Sequence, residues 1–150
     1  MKRALTLLIC LFNLILLSAC SSQADTKDSK GHAIRLSNYE GKWVVVNYWA
    51  TWCKPCLTEI PTLNAIYQGN RDRVMVIGVS YDKLNNEEIN QVAKQWAVQF
   101  PMTAQFPLEK LNVQRLDVLP ITFIFNPDGK LVKTLRGPQT ETQFKTALNL

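Results

Sequence analysis

The chain has 150 residues, 47% of them hydrophobic, and a formal net charge of +5 from 17 Lys and Arg against 12 Asp and Glu. The positive excess is dispersed, with no basic block and no interleaving of basic and aromatic residues, so nucleic-acid binding has no support. Its four cysteines are too few and too unevenly spaced for a small secreted domain held together by disulfides.

In chain order, Lys2 and Arg3 precede an almost unbroken apolar run over 4–17. That run falls short of the about 20 apolar residues a bilayer span needs and has the build of a secretory signal. It ends in Leu17-Ser18-Ala19-Cys20, which resembles the bacterial lipobox, where the cysteine is acylated and becomes the mature N-terminus. The alternatives are a signal cut elsewhere or an uncleaved anchor. Residues 1–19 are read as a lipoprotein signal peptide and Cys20 as the lipidation site. The domain is then exported and lipid-anchored to a bacterial membrane, facing the periplasm or the cell exterior. Residues 20–32 are polar and lack apolar periodicity, so they are read as a flexible tether. Residues 33–150 remain as one domain, long enough for a real core.

Ala33–Leu36 predicts a short entry strand, followed by a turn through Asn38 to Gly41. Trp43–Trp49, rich in Val and aromatics with little alternation, predicts a strand buried on both faces. Trp52-Cys53-Lys54-Pro55-Cys56 follows directly. Leu57, Ile60, Leu63 and Tyr67 then recur at helical spacing as far as Gly69-Asn70, with Pro61 expected to kink that helix. The run 73–80 predicts a second buried strand. Asn85 with Glu88 resembles a capping box, opening a helix whose stripe is Ile89, Val92, Ala93, Trp96 and Ala97. Ile121–Phe125 predicts a third strand, Asn126-Pro127-Asp128-Gly129 a turn, and 130–135 its hairpin partner. Phe144, Ala147 and Leu148 mark a closing helix. The alternation predicts an α/β fold with a mixed sheet.

Cys10 is lost with the signal and Cys20 is consumed by lipid, which leaves Cys53 and Cys56. Two thiols two residues apart, where a strand turns into a helix, are more often a redox device than a staple. A bridge closing so short a loop removes little chain entropy from the unfolded state. Chemistry therefore explains the pair better than stability does. A zinc site wants four ligands, and these two thiols with His32 fall short; no metal and no cofactor is expected.

The element order, with Trp-Cys-x-x-Cys on the first crossover, resembles the thioredoxin fold: a mixed central sheet flanked by helices. Gly41-Lys42, Trp49-Ala50-Thr51-Trp52-Cys53-Lys54-Pro55-Cys56 and Glu59-Ile60-Pro61 resemble the membrane-tethered thiol–disulfide reductases of the TlpA/ResA type. Leu119-Pro120-Ile121-Thr122 matches that family's cis-proline loop. The gap from Cys56 to Pro120 has room for the strand–helix unit the family inserts.

The resemblance implies that Cys53 is the nucleophile. At a helix N-terminus its thiolate meets unpaired N–H groups and the positive end of the dipole, worth about 0.3–2 kcal/mol. Cys56, one turn on and on the same face, then resolves the mixed disulfide. Pro120, if cis, lies opposite the pair and leaves the Leu119 backbone to pair with a substrate strand; otherwise it is a trans proline opening a strand. Glu59 is implied as a proton acceptor for Cys56, provided burial raises its pKa; the alternative is an exposed helix carboxylate. Asn47 stands six residues before Cys53, where thioredoxin has a buried Asp, and Asn cannot titrate. Trp52 either flanks Cys53 on the docking surface or packs at the strand end. Lys54 either favours the thiolate or points into solvent.

The family's implied partners are oxidised client protein thiols, apocytochrome c being the best known, and a membrane thiol-reductant donor; a monomer is expected. The alternative is an oxidase or isomerase in the same compartment, which usually has a His between the cysteines, absent from Lys54-Pro55. A copper-binding assembly factor needs Cys-x-x-x-Cys and a distant His. The spacing here is one shorter, and no His follows His32. A cysteine peroxidase is disfavoured because no Thr-x-x-Cys precedes the pair.

Overall fold

The longest β-branched run of the chain becomes the middle of its sheet. In the computed structural model, which describes residues 24–107 and 118–150, Trp43–Trp49 forms strand β3. It is preceded by a hairpin of β1 (Thr26–Lys27) and β2 (Ala33–Ile34) and a 3-10 turn over Leu36–Tyr39. Helix α1 (Lys54–Gly69), β4 (Val74–Ser80), α2 (Asn86–Gln95) and β5 (Met102–Thr103) follow. Then come β6 (Ile121–Phe125), β7 (Leu131–Arg136) and α3 (Glu141–Ala147). The signal peptide 1–19 and Cys20 lie outside the described residues.

The main sheet runs β5-β4-β3-β6-β7. β3 pairs parallel with β4, setting Asn47 against Gly78, and antiparallel with β6, setting Asn47 against Thr122. The final hairpin turns at Gly129, whose φ of +72° is the left-handed region open to glycine, and its amide closes on the Asn126 carbonyl. The mixed sheet and the α/β order match the sequence expectation.

Side-chain alternation along β3 builds two cores. Val45 and Trp49 join Ile60, Leu63 and Ile66 of α1, Ile89 of α2, and Phe144 and Ala147 of α3. Val44, Val46 and Tyr48 join Ile77, Val79, Ile121, Phe123 and Phe125, covered by Ile34, Leu36, Tyr39 and Phe106. Fully burying one such side chain is worth about 1.5–3 kcal/mol. α2 starts on the expected capping box, with Asn85 accepting from the Glu87 and Glu88 amides while Glu88 accepts from the Asn85 amide. α1 runs on past Pro61. Among the described residues no helix is long and apolar enough to cross a membrane.

One boundary needs correction. The segment 20–32 is read from sequence as tether, yet its described part, from residue 24, belongs to the fold. Thr26 pairs with Ile34 and Lys27 with Ala33. The buried Asp28 accepts from the Lys30 and His32 amides and from the His32 ring. Ser29 donates its amide to the Met102 carbonyl at 2.7 Å and its hydroxyl to Asn90. Hydrogen bonds to distant partners, rather than apolar periodicity, hold this stretch.

The inserted unit between Cys56 and Pro120 places its helix, α2, ahead of the two-residue edge strand β5, which lies parallel to β4. Nothing in the composition around Met102 marked so short a strand.

Candidate active site

The chain leaves β3 at Trp49 and enters α1 through a tight turn, in which the Cys53 amide donates to the Ala50 carbonyl at 3.1 Å. Cys53 is the N-cap of α1, extended at φ −86° and ψ 91°. Its sulfur accepts from the Cys56 amide at 3.2 Å, the place a Ser or Asp oxygen takes in an ordinary cap. Pro55 sits in the first turn, where its missing N–H costs nothing. Cys53 and Cys56 are joined as a disulfide with Cα atoms 5.3 Å apart, and both are buried. Lys54 is exposed, so its side chain is on the solvent side of the motif.

Trp52 is 68% exposed; the tryptophan that packs at the strand end is Trp49. The Trp52 indole nitrogen donates to Asp82 at 3.0 Å, and its ring meets Tyr81 edge-on at 6.5 Å. The other Asp82 oxygen accepts from the Thr51 amide at 2.7 Å and the Thr51 hydroxyl at 2.8 Å. Partial burial works to raise the Asp82 pKa, but these three hydrogen bonds outweigh it and hold the group below the ordinary carboxylate value. Asp82, just past β4, thus fixes the two residues ahead of Cys53.

The Leu119–Pro120 peptide is cis. Because Ile121 pairs with Tyr48, Pro120 lies level with Trp49, at the end of β3 from which the cysteine motif departs. Pro120 is buried and Leu119 half-buried, and the Pro120 carbonyl accepts from the Gly137 amide at 2.9 Å.

Glu59 is 2% exposed, so the solvent-exposed alternative does not hold. One carboxylate oxygen accepts from the Asn47 side-chain amide at 2.9 Å and the other from the Gln139 backbone amide at 2.7 Å. Burial raises its pKa to about 7, against the opposing pull of the Gln139 and Asn47 hydrogen bonds. The same Asn47 nitrogen donates to the Thr122 hydroxyl at 2.9 Å.

The structure therefore brings Cys53, Cys56, Glu59, Leu119 and Pro120 to one end of the sheet, with Trp52 at its surface. Sequence reasoning saw Asn47 only as a missing base and overlooked Thr122, Gln139 and Asp82. A polar residue inside an otherwise apolar strand was the available signal for Asn47 and Thr122; Asp82 and Gln139 had none.

The chain matches the AhpC/TSA family over residues 19–134. It is 32% identical to the thiol-disulfide oxidoreductase ResA of Bacillus subtilis (strain 168) over 127 residues, covering 83% of this chain and 69% of the relative. Among solved structures, StoA from Bacillus subtilis superposes with a TM-score of 0.66 at 26% identity, covering 81% of this chain and 92% of that one. The pneumococcal exposed lipoprotein thioredoxin Etrx1 of Streptococcus pneumoniae strain TIGR4 gives 0.67 at 25% identity, covering 83% and 96%.

Proposed function

Because the chain belongs to the AhpC/TSA family and is a thiol–disulfide oxidoreductase of the ResA kind, we propose that it works as a membrane-tethered reductase of client-protein disulfides outside the cytoplasm. The observation that carries the chemistry is the buried Cys53–Cys56 disulfide at the N-terminus of α1, and it is supported by Glu59, a buried carboxyl one helical turn past Cys56 whose pKa burial raises to about 7. A base so placed serves the step in which Cys56 must lose its proton.

In the reduced protein the Cys53 thiolate attacks one sulfur of the client disulfide, forming a mixed disulfide and expelling the other client sulfur as thiolate. Glu59 takes the Cys56 proton. The Cys56 thiolate then attacks Cys53, closing the Cys53–Cys56 bond and releasing the second client thiolate. The client gains two electrons, and its thiolates take up protons from solvent. A dithiol donor in the membrane returns two electrons to the pair. Leu119 and Pro120 bind the client strand and Trp52 flanks it. Client disulfides are the substrates, with the oxidised haem-binding cysteines of apocytochrome c the first class to test.

The lipobox-like Leu17-Ser18-Ala19-Cys20 supports anchoring through lipid on Cys20, as does the likeness to an exposed lipoprotein of the same fold. The equilibrium reduction potential of Cys53–Cys56, in a soluble chain beginning after Cys20, tests the direction. A value at or below about −250 mV is expected of a reductase; one near about −120 mV would mark an oxidant and overturn the proposal in favour of a thiol oxidase.

A further inference from the structure

Asn47 occupies a position where a strand of this kind normally carries an apolar residue. It lies between Val46 and Tyr48, is 1% exposed, and shares its face with Val45 and Trp49. A buried side-chain amide is costly unless bonded. Its nitrogen spends one hydrogen on Glu59 of α1 and the other on Thr122 of β6, each at 2.9 Å. Thr122 is itself fully buried, is the register partner of Asn47, and lies two residues past Pro120.

We propose that Asn47 is a positioning residue for Glu59: anchored by Thr122, its amide holds one carboxylate oxygen while the Gln139 amide holds the other, fixing how readily the carboxyl takes up and gives back its proton. The inference rests on the role given to Glu59 above. Among the described residues, the groups bonded to Glu59 from β3 and the loop before α3 are the Asn47 amide and the Gln139 backbone, with the Thr122 hydroxyl of β6 behind Asn47. None of these is charged, and the titratable groups nearest in sequence on or capping its own helix are Cys53, Cys56 and the exposed Lys54. A hydrogen bond from a neutral donor favours the ionised carboxylate, so its removal drives Glu59 toward the protonated form.

The test is the titration of the Glu59 carboxyl, followed by carbon-13 NMR in the full chain with the cysteines reduced and assigned through Glu59→Gln, beside the pH profile of client-disulfide reduction. Asn47→Ala is expected to move the Glu59 midpoint up by about one pH unit, and to carry the rate profile with it. Thr122→Val, which keeps shape and strand preference, is expected to move both the same way by less, and it carries the test alone if Asn47→Ala does not fold. Variants that lower thermal stability but leave the midpoint in place would overturn the inference. If Asn47→Ala moves the midpoint while Glu59→Gln leaves the rate profile unchanged, the positioning stands and the catalytic role of Glu59 fails.

Discussion

The two faces of the central sheet are built from the same strands and have different tasks. On one face Val44, Val46 and Tyr48 meet Ile121, Phe123 and Phe125 in a cluster of apolar and aromatic side chains. On the other, Val45 and Trp49 flank Asn47, and Asn47, Thr122 and Glu59 form a polar inclusion beneath α1. The first face is apolar and aromatic and stabilises. The second holds a carboxyl away from water because each of its oxygens has a donor. A single residue step along β3 separates the two, so the strand that carries the stabilising core also carries the proton site.

The comparison can be tested by cutting into each face. The largest effect is expected beside the polar inclusion. Cys53→Ala should lower client reduction about a thousandfold or more, and Cys56→Ser should leave the client trapped as a mixed disulfide, visible on a non-reducing gel. Next comes the apolar face: Phe123→Ala should cost about 3–5 kcal/mol in denaturant unfolding, equally at pH 5 and pH 8. A pH-dependent loss there would erase the distinction between the faces.

Glu59→Gln should do the opposite, with a modest and strongly pH-dependent effect. The Glu59 carboxyl titrates at about 7 when folded against an ordinary 4.5. Between these values the folded state binds the extra proton, so stability falls as pH rises through the window and stays low above it. The Gln variant should match the wild type near pH 4 and exceed it at pH 8 by about 1–3 kcal/mol. The gain is trimmed because the new amide NH₂ meets one of the two donors. The client-reduction rate should rise with pH through about 7 in the wild type and lose that limb in the variant. The smallest effect is expected outside both faces. Asp82→Ala frees Trp52 and Thr51 at a cost of about 0.5–1.5 kcal/mol, read as faster depolarisation of Trp52 fluorescence and a few-fold rise in KM.

Features governed by local rules were legible in the sequence. Trp43–Trp49 and Ile121–Phe125 announce themselves as apolar runs, Asn85 with Glu88 as a cap, and Cys53–Cys56 by spacing at a strand–helix junction. Features that depend on partners far along the chain were not. Thr26 bonds to Gln105, Ser29 to Asn90, Asp82 to Thr51 and Gln139 to Glu59, and no window of adjacent residues encodes those meetings. Asn47 was visible as a polar residue in an apolar strand, but its role needed the register that sets it against Thr122.

The hairpin of residues 24–34 also decides where a mechanical load arrives. Ser29 grips Met102, Thr103 grips Lys27 and Thr26 grips Gln105, along and just past β5, the outermost described strand on its side. Tension entering the domain from its N-terminal side is therefore taken up at that rim, through a few bonds that can break in succession. Past the hairpin and the turn over Leu36–Tyr39 the chain enters β3 at Trp43, and β3 is clasped on both sides by β4 and β6. A pull strong enough to peel the hairpin away would still leave the strand that aims Cys53 in register.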